Sequence, residues 1–297
     1  AYTALVYITP VLGGYLADRY LGQRKAVLYG AVLLTFGHFL MGFEGDGGQD
    51  PASLNIFWLA LAFIIVGSGF LKANISVMVG QLYPRTDVRR DGAYTIFYMG
   101  INLGAAIGAL LCGYLGQTWG WSYGFGAAGV GMLLGLIVFV VFKPLLLGRG
   151  EPTDPARLAA PVMGLKLEWL LYAIGLVAVV VCWWLVQNQA VVGTLLGVAG
   201  FALVSYVIGT AVLKLPAEDR DRIFAALFLI VGSIMFWALF EQAGSSLNLF
   251  TDRHVDRSVF GWEPTAAQFQ SLNAIYIVLL APFFAGLWTW LGRRNLE

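Results

Sequence analysis

The sequence predicts an all-α protein that crosses a membrane about nine times. Charged residues make up 12% of the 297-residue chain, whereas soluble domains contain roughly 25%. Apolar residues make up 59% and the mean hydropathy is +0.76, which is more apolar material than one soluble core could bury. Because one crossing takes about 20 residues, these values indicate a polytopic helical membrane protein surrounded by a lipid bilayer.

Nine apolar segments follow one another along the chain. Each is longer than the roughly 9 to 11 residues of a membrane barrel strand, and none alternates strictly between apolar and polar residues. Helices are therefore expected throughout. The segments are 1 to 17, 26 to 43, 54 to 80, 93 to 116, 122 to 143, 167 to 186, 190 to 213, 222 to 247 and 268 to 291.

The basic residues predict the orientation of these segments. Fifteen of the 18 lysines and arginines lie in the odd-numbered connections or after the last segment. Only Arg253 and Arg257 lie on the other side, and Lys72 lies inside a segment. Since positive charge concentrates in cytoplasmic loops, the chain is expected to enter from outside and to end in the cytoplasm.

Composition also excludes several classes of function. A net charge of +1 gives no basic surface for a nucleic acid. Cys112 and Cys182 both lie in apolar stretches, which suits neither a disulfide framework nor a metal cluster. The two histidines, His38 and His254, are far apart, and no nucleophile and base have catalytic spacing inside the segments. We expect neither an enzyme nor a bound metal or organic cofactor.

Lys72 is the clearest residue that does not belong in a bilayer. An ammonium group inside a spanning helix costs about 2.5 to 3.5 kcal/mol even on insertion scales. Ser68 and Ser76 lie one helical turn away on either side, so a polar stripe passes Lys72. The residue is expected to face a cavity or a carboxylate; the alternative is a lysine whose long side chain reaches the membrane interface.

Glu241 is the second such residue. Removal of a carboxylate from water raises its pKa unless a cation compensates, and a proton carrier needs this property. Trp237, Glu241 and Ser245 are spaced by four, which predicts one helical face with an aromatic ring, an acid and a hydroxyl. The alternative is an anchor at the outer mouth, because the polar loop begins a few residues later.

Three further polar residues have ambiguous roles from the pattern alone. Asn102 lies beside a stripe of glycines at 100, 104 and 108 that predicts close helix packing. Its amide is equally suited to a helix-to-helix hydrogen bond and to a ligand. Asn273 has the same ambiguity, and for Tyr7 packing is favoured over a hydroxyl aimed at a cavity.

The run from Gly14 to Lys25 places Asp18 and Arg19 at the cytoplasmic end of the first segment. A helix C-terminus disfavours an anion, so Asp18 is expected to meet a basic partner or the N-terminal amides of another helix. Such a contact can lock a cytoplasmic gate in one state and release it in another.

These residues together resemble the proton-dependent oligopeptide transporter family of the major facilitator superfamily, in its bacterial form. The run from Gly14 to Lys25 is similar to the superfamily's loop motif between the second and third helices. More specific is the order of three motifs: residues 70–74 (FLKAN), 87–91 (DVRRD) and 97–104 (FYMGINLG).

Later motifs extend the resemblance to the eighth helix. Residues 236–242 resemble the family's seventh-helix motif, and residues 271–273 resemble its eighth-helix motif, although Ala274 replaces the proline often found there. The segments within 167–213 are similar to the two extra helices of many bacterial members. The first helix of the family, with its Glu-x-x-Glu-Arg motif, and the last four helices have no counterpart, so we expect an internal piece of a roughly twice longer transporter.

The resemblance implies a partial major facilitator fold with four parts. Residues 1–143 would form the N-terminal bundle without its first helix, and 144–166 a cytoplasmic linker. Residues 167–213 would form an inserted helical hairpin, and 214–297 the start of the C-terminal bundle.

The resemblance also implies roles for individual residues. Tyr7, Lys72, Asn102 and Asn273 would line a peptide site, and Lys72 and Glu241 would take part in proton coupling and gating. Asp18 and Arg19 belong to the predicted gate.

The implied function is import of di- and tripeptides with protons across the inner (plasma) membrane by alternating access. The alternatives are a family member that carries nitrate or another small solute, and a truncated membrane protein that transports nothing. The oligomeric state is left open.

Overall fold

A computed structural model of the chain describes residues 1–43, 50–85, 87, 89–162, 164–258, 261–292 and 294. Val88 of the motif at residues 87–91 and Arg293 of the basic set lie outside these residues. The described chain is built from helices, which confirms the all-α prediction. They are α1 Tyr2–Leu16, α2 Gln23–Met41, α3 Pro51–Gln81, α4 Arg89–Thr118, α5 Trp121–Val141, α6 Pro155–Ala159, α7 Leu167–Gln187, α8 Gln189–Lys214, α9 Ala217–Phe240, α10 Ser246–His254, α11 Ala266–Phe269 and α12 Ser271–Gly292.

Short irregular elements join these helices. A π-helix, Ala17–Leu21, extends α1, and 3-10 turns occupy Lys143–Leu146 and Glu241–Gly244. The strands β1 (Pro161–Val162) and β2 (Leu165–Lys166) pair antiparallel just before α7. The predicted linker therefore contains local structure of its own.

A helix lies at each of the nine predicted segments, but the number of membrane crossings is not confirmed. Within the described ranges, seven helices are long and apolar enough to span a bilayer. The helices α1 and α2, at the first two segments, are not among these seven. The first, α1, has 15 residues, and α2 begins with the polar run Gln23, Arg24 and Lys25.

The chain divides into two compact units. The first contains Ala1–Gln187 together with Ser271–Glu297, and the second contains Asn188–Gln270. In the first unit a buried core is shared by α1, α2, α3, α6 and α7. The helix α5 packs against α2 and α4, and α12 packs against α4. In the second unit most apolar side chains are exposed, and α9 buries none. The predicted four-part division stays a prediction.

Two glycines allow α2 and α3 to cross at close range. A Cβ atom built on Gly30 would lie 2.6 Å from the carbonyl oxygen of Gly67, and one built on Gly67 would lie 2.8 Å from the carbonyl oxygen of Gly30. Real Cβ atoms do not approach backbone so closely, so this crossing depends on both residues being glycine. The helix α3 is thereby fixed against α2 just before Ser68, where the polar stripe that passes Lys72 begins.

The predicted packing stripe on α4 is wrong for the described chain. A Cβ atom built on Gly100, Gly104 or Gly108 would meet nothing within 4 Å. The buried face of α4 carries Asn102 and Ala106, which are one helical turn apart. The pattern identified a smooth face but not which face the neighbouring helices cover.

Candidate functional site

Lys72 and Tyr7 lie against each other across two helices. The Nζ atom of Lys72, on α3, lies 4.2 Å from the ring centroid of Tyr7, on α1. Such cation–π contacts contribute about 0.5 to 2 kcal/mol, depending on how far they are removed from water. Both side chains are exposed, Tyr7 at 52%. The ammonium group of Lys72 thus lies against α1.

The residues of the motif around Lys72 lie on two faces of α3, one buried and one exposed, because of helical periodicity. Phe70 and Asn74, one turn apart, are both buried, and Asn74 is only 1% exposed. The Asn74 amide donates to the carbonyl of Phe70 at 2.8 Å and to that of Gly13, on α1, at 3.4 Å. Since Lys72 falls between these two residues, it lies on the opposite face. Asn74 joins α3 to α1, and Lys72 is left on the surface.

Asn102 and Asn273 lie on two helices that pack together, α4 and α12. Asn102 is 8% exposed, and its Nδ2 atom donates to the carbonyl of Tyr98 on the same helix at 2.9 Å. Asn273 is exposed. In the described part of the chain, no hydrogen bond joins these two amides or connects either of them to Lys72. Their assignment to a ligand stays a prediction.

Glu241 does not continue the face that its spacing predicts. The helix α9 ends at Phe240, and Glu241 begins a 3-10 turn that reaches Gly244. The Ser245 hydroxyl donates to the backbone carbonyl of Glu241 at 3.5 Å. Because the helical repeat stops here, Trp237, Glu241 and Ser245 do not share one regular helical face. Glu241 is exposed and belongs to the second unit.

Asp18 meets amides at the end of α1. The Nε2 atom of Gln23 donates to the Asp18 carboxylate at 2.7 Å, and the Nε2 atom of Gln81 donates to the Oε1 atom of Gln23 at 3.1 Å. Among the described residues, no lysine or arginine lies within ion-pair distance of Asp18. The expected basic partner is replaced by a chain of two amides that joins the ends of α1, α2 and α3. The guanidinium of Arg19 lies 6.0 Å from the ring centroid of Tyr15.

Two ion pairs that the sequence pattern does not reveal lie at the start of α2. Arg24 forms a fork with Glu151, and Lys25 pairs with Glu168 at 2.6 Å. The hydrogen bond from Arg24 holds the pKa of Glu151 below its ordinary value. The partners are more than a hundred residues apart in the chain, so no spacing in the sequence indicated them.

The family of this chain follows from a match over most of its length. The sequence profile of the POT family (PTR2) matches residues 24–297. The chain belongs to the POT family. This result confirms the resemblance drawn from the motifs at residues 70–74, 87–91 and 97–104.

Curated transporters match almost the whole chain. An uncharacterized transporter, YclF, of Bacillus subtilis is 37% identical over 99% of the chain, which covers 58% of that relative. The peptide transporter YePEPT of Yersinia enterocolitica is 36% identical over 98% of the chain, again covering 58% of the relative. The chain thus spans less than two thirds of the length of the curated relatives that it matches.

A solved structure supports the fold. The crystal structure of a mutant of a peptide transporter POT in complex with alafosfalin has a TM-score of 0.77 and 37% sequence identity. The match covers 99% of this chain and 59% of the solved one. Our chain therefore has part of a major facilitator type transporter fold and belongs to a multi-pass membrane protein.

Proposed function

We propose that the complete protein containing this chain imports di- and tripeptides together with protons across the inner membrane by alternating access. Membership of the POT family supports transport, and relatives such as YePEPT are named peptide transporters. The proton would be the coupling ion, with no other cofactor. In this proposal two helical bundles rock around a central site, as in related transporter folds.

The observation that carries the proposal is the position of Lys72. Its ammonium group lies far inside a helix of 31 residues and is held against the ring of Tyr7. In the described ranges no carboxylate lies within ion-pair distance of Lys72. An exposed cation at this depth is costly in lipid, so it suits a water-filled cavity that admits an anionic group. The carboxylate at the C-terminus of a short peptide is such a group.

The two amides supply complementary chemistry. An asparagine side chain offers both an acceptor oxygen and donor hydrogens. The Nδ2 atom of Asn102 already donates to Tyr98, so its oxygen would accept from the peptide's amino group. Asn273, exposed on the packed helix α12, would bond to the peptide backbone. A site of this kind recognises the parts that all short peptides share and ignores their side chains.

Glu241 would carry the coupling proton, and Asp18 with Arg19 would act in the gate. Protonation of Glu241 removes its charge and so changes the relative free energies of the outward and inward states. Coupling free energies of this kind are about 1 to 3 kcal/mol, which corresponds to roughly 5- to 150-fold changes in an equilibrium. At the other end of α1, the chain of amides that holds Asp18 would form in one state and break in the other.

Uptake into proteoliposomes tests the proposal. The complete protein should accumulate a labelled dipeptide when an inward proton gradient is imposed, and unlabelled dipeptides, but not nitrate, should compete. Lys72→Ala should abolish accumulation because the substrate carboxylate loses its cation. Glu241→Gln should remove the dependence on the proton gradient while exchange of peptide for peptide persists.

A matched control variant loses the same positive charge as Lys72→Ala but leaves the site intact. Lys166→Ala removes an exposed lysine before α7 and should transport like the parent. If Lys72→Ala and Glu241→Gln both retained full gradient-driven accumulation, the assignment of these residues would be wrong. If nitrate but no dipeptide competed, the cargo would be a small anion.

A further inference from the structure

A polar cavity lies where α3 ends and α4 begins, and its lining does not include Lys72. Its volume is about 630 Å³, within the roughly 300 to 1,000 Å³ of small-molecule sites. Its polar lining includes Gln81, Tyr83, Arg85, Arg90, Tyr94 and Arg149. The distribution of basic residues predicts that this end of the helices faces the cytoplasm. The proposed peptide transport makes no use of this cavity.

The charge of this cavity is strongly one-sided. Three guanidinium groups line it, and its described lining contains no carboxylate. Arg85 and Arg149 are exposed and form no ion pair with any described residue. Neighbouring like charges repel, and the N-terminal end of α4, which begins at Arg89, adds a partial positive charge. An anion bound here would relieve this repulsion.

Arg90 gives a second and independent indication of a ligand. Its Nε atom is buried and has no hydrogen-bond partner in the described chain. A buried donor without a partner is destabilising, and more so when it belongs to a charged group. The Cζ atom of Arg90 lies 5.9 Å from the ring centroid of Tyr94, the only described ring that it faces at cation–π distance.

Gly80 makes room for this arrangement. A Cβ atom on Gly80 would collide with the Tyr94 hydroxyl and would lie 3.0 Å from the Nη2 atom of Arg90. The missing side chain on α3 therefore allows the ring and the guanidinium of α4 to pack against the helix. The packing of Arg90 against α3 therefore depends on the local sequence of both helices.

Arginines that serve only as topology markers look different in this chain. Arg222 is exposed and pairs with Glu218 at 2.6 Å along one helix, and the neighbouring Arg220 pairs with Asp221 at 3.1 Å. Such solvated pairs satisfy themselves and add little stability. Arg90 is instead only partly exposed, and its Nε atom has no hydrogen-bond partner in the described chain, so this donor is available to a ligand.

We propose that this cavity binds a phosphate-bearing anion at the cytoplasmic surface of the membrane. Arginine presents a planar fork of donors that matches phosphate oxygens, and basic pockets between spanning helices bind anionic lipid headgroups. The phosphate comes either from the headgroup of an anionic phospholipid or from a soluble phosphate compound. The chemistry of recognition is the same for both.

Native mass spectrometry of the complete protein in detergent tests the proposal. The protein is titrated with phosphatidylglycerol and, in parallel, with zwitterionic phosphatidylcholine. Arg90→Gln/Arg149→Gln should weaken phosphatidylglycerol binding about tenfold, because each lost guanidinium removes charge-assisted hydrogen bonds. Arg220→Gln/Arg222→Gln removes the same charge on the same side and should leave the affinity unchanged. Melting temperatures verify that all variants are folded. If the Arg90→Gln/Arg149→Gln variant is not folded, Arg85→Gln, in an exposed loop, replaces it.

Inorganic phosphate distinguishes the two sources. If millimolar phosphate displaces phosphatidylglycerol and raises the melting temperature of the parent but not of the cavity variant, the ligand is a soluble phosphate compound. If phosphate neither displaces phosphatidylglycerol nor raises the melting temperature, and the cavity variant binds phosphatidylglycerol less tightly than the parent, the ligand is the lipid headgroup. The proposal is overturned if the cavity and control variants bind phosphatidylglycerol and phosphate equally, or if the parent binds both lipids equally and phosphate does not raise its melting temperature.

Discussion

Arg24 and Glu151 form a forked ion pair between the first turn of α2 and the loop before α6. The Nε atom donates to Oε1 at 2.6 Å and the Nη2 atom donates to Oε2 at 2.9 Å. The backbone N–H of Arg24 also donates to the carbonyl of Gly150 at 2.8 Å. Gly22 has a φ of 73°, which favours glycine, and a Cβ there would also strike the backbone at Glu151 and Pro152. The loop is therefore fixed by side chain and backbone together where α1 ends and α2 begins.

The first prediction concerns this pair. Glu151→Gln should lower the free energy of unfolding at pH 7 by about 1 kcal/mol or less, because the carboxylate is partly exposed and solvent screens the interaction. The pKa of Glu151 is lowered from its ordinary 4.5 by the hydrogen bond from Arg24. A lowered pKa stabilises the fold above the ordinary value and loses that effect as pH falls through the folded value.

The measurement is the melting temperature of the complete protein and of the variant between pH 7 and pH 3. The difference between them should shrink as the pH falls below 4.5. Glu218→Gln, which breaks a solvent-exposed pair with Arg222, serves as the control and should have little effect at any pH. A difference for Glu151→Gln that is independent of pH would show that the ion pair does not stabilise the loop.

The second prediction concerns the attachment of α7. Lys25 pairs with Glu168 at 2.6 Å, and the Tyr172 hydroxyl donates to the same carboxylate oxygen at 3.0 Å. Lys25 and Glu168 are both only about a quarter exposed, at 24% and 25%. A double-mutant cycle with Lys25→Met and Glu168→Gln should give a coupling energy of roughly 1 kcal/mol or more. Additive effects on the melting temperature would show that the two side chains do not stabilise each other.

The third prediction tests the crossing of α2 and α3. Gly67→Ala should destabilise the protein by about 1 to 3 kcal/mol, because the new methyl group would overlap the backbone of Gly30. Gly197→Ala makes the same change on α8, where a Cβ would meet nothing within 4 Å, and should be neutral or slightly stabilising. Chemical or thermal unfolding of the two variants compares them directly. Equal effects would mean that the crossing tolerates a wider separation of the helices.

Much of the fold was predictable because bilayer helices have a strong local signature. An apolar run of about 20 residues specifies a helix without reference to the rest of the chain. Each helix from α1 to α5, for example, lies within a few residues of its predicted segment. The ion pairs of Glu151 and Glu168 could not be predicted in this way, because they depend on how distant parts of the chain pack.

The candidate site shows the same division. Lys72 was identifiable because a charge within an apolar run is costly wherever the helix packs. The partner of Asp18 was not, since the side-chain amide of Gln23 satisfies it where a cation or the N-terminal backbone amides of another helix were expected. Likewise, the change from α-helix to 3-10 turn at Glu241 breaks a spacing that the sequence presents as regular. The free-energy cost of a charge in an apolar segment can be inferred from the sequence, but the partner of that charge depends on the tertiary structure.

The fourth prediction separates the two ways in which Tyr7 can act. In the structure the face of its ring carries the ammonium of Lys72, whereas the family resemblance implies a contact through the hydroxyl. Tyr7→Phe keeps the ring and removes the hydroxyl, and Tyr7→Leu removes both. If the ring positions Lys72, Tyr7→Phe should retain most of the dipeptide uptake, and Tyr7→Leu should raise KM by about 2- to 30-fold, the equivalent of a cation–π contact of about 0.5 to 2 kcal/mol. Equal losses in both variants would instead assign the role to the hydroxyl, because the substrate would then be bound through the oxygen that both variants lack.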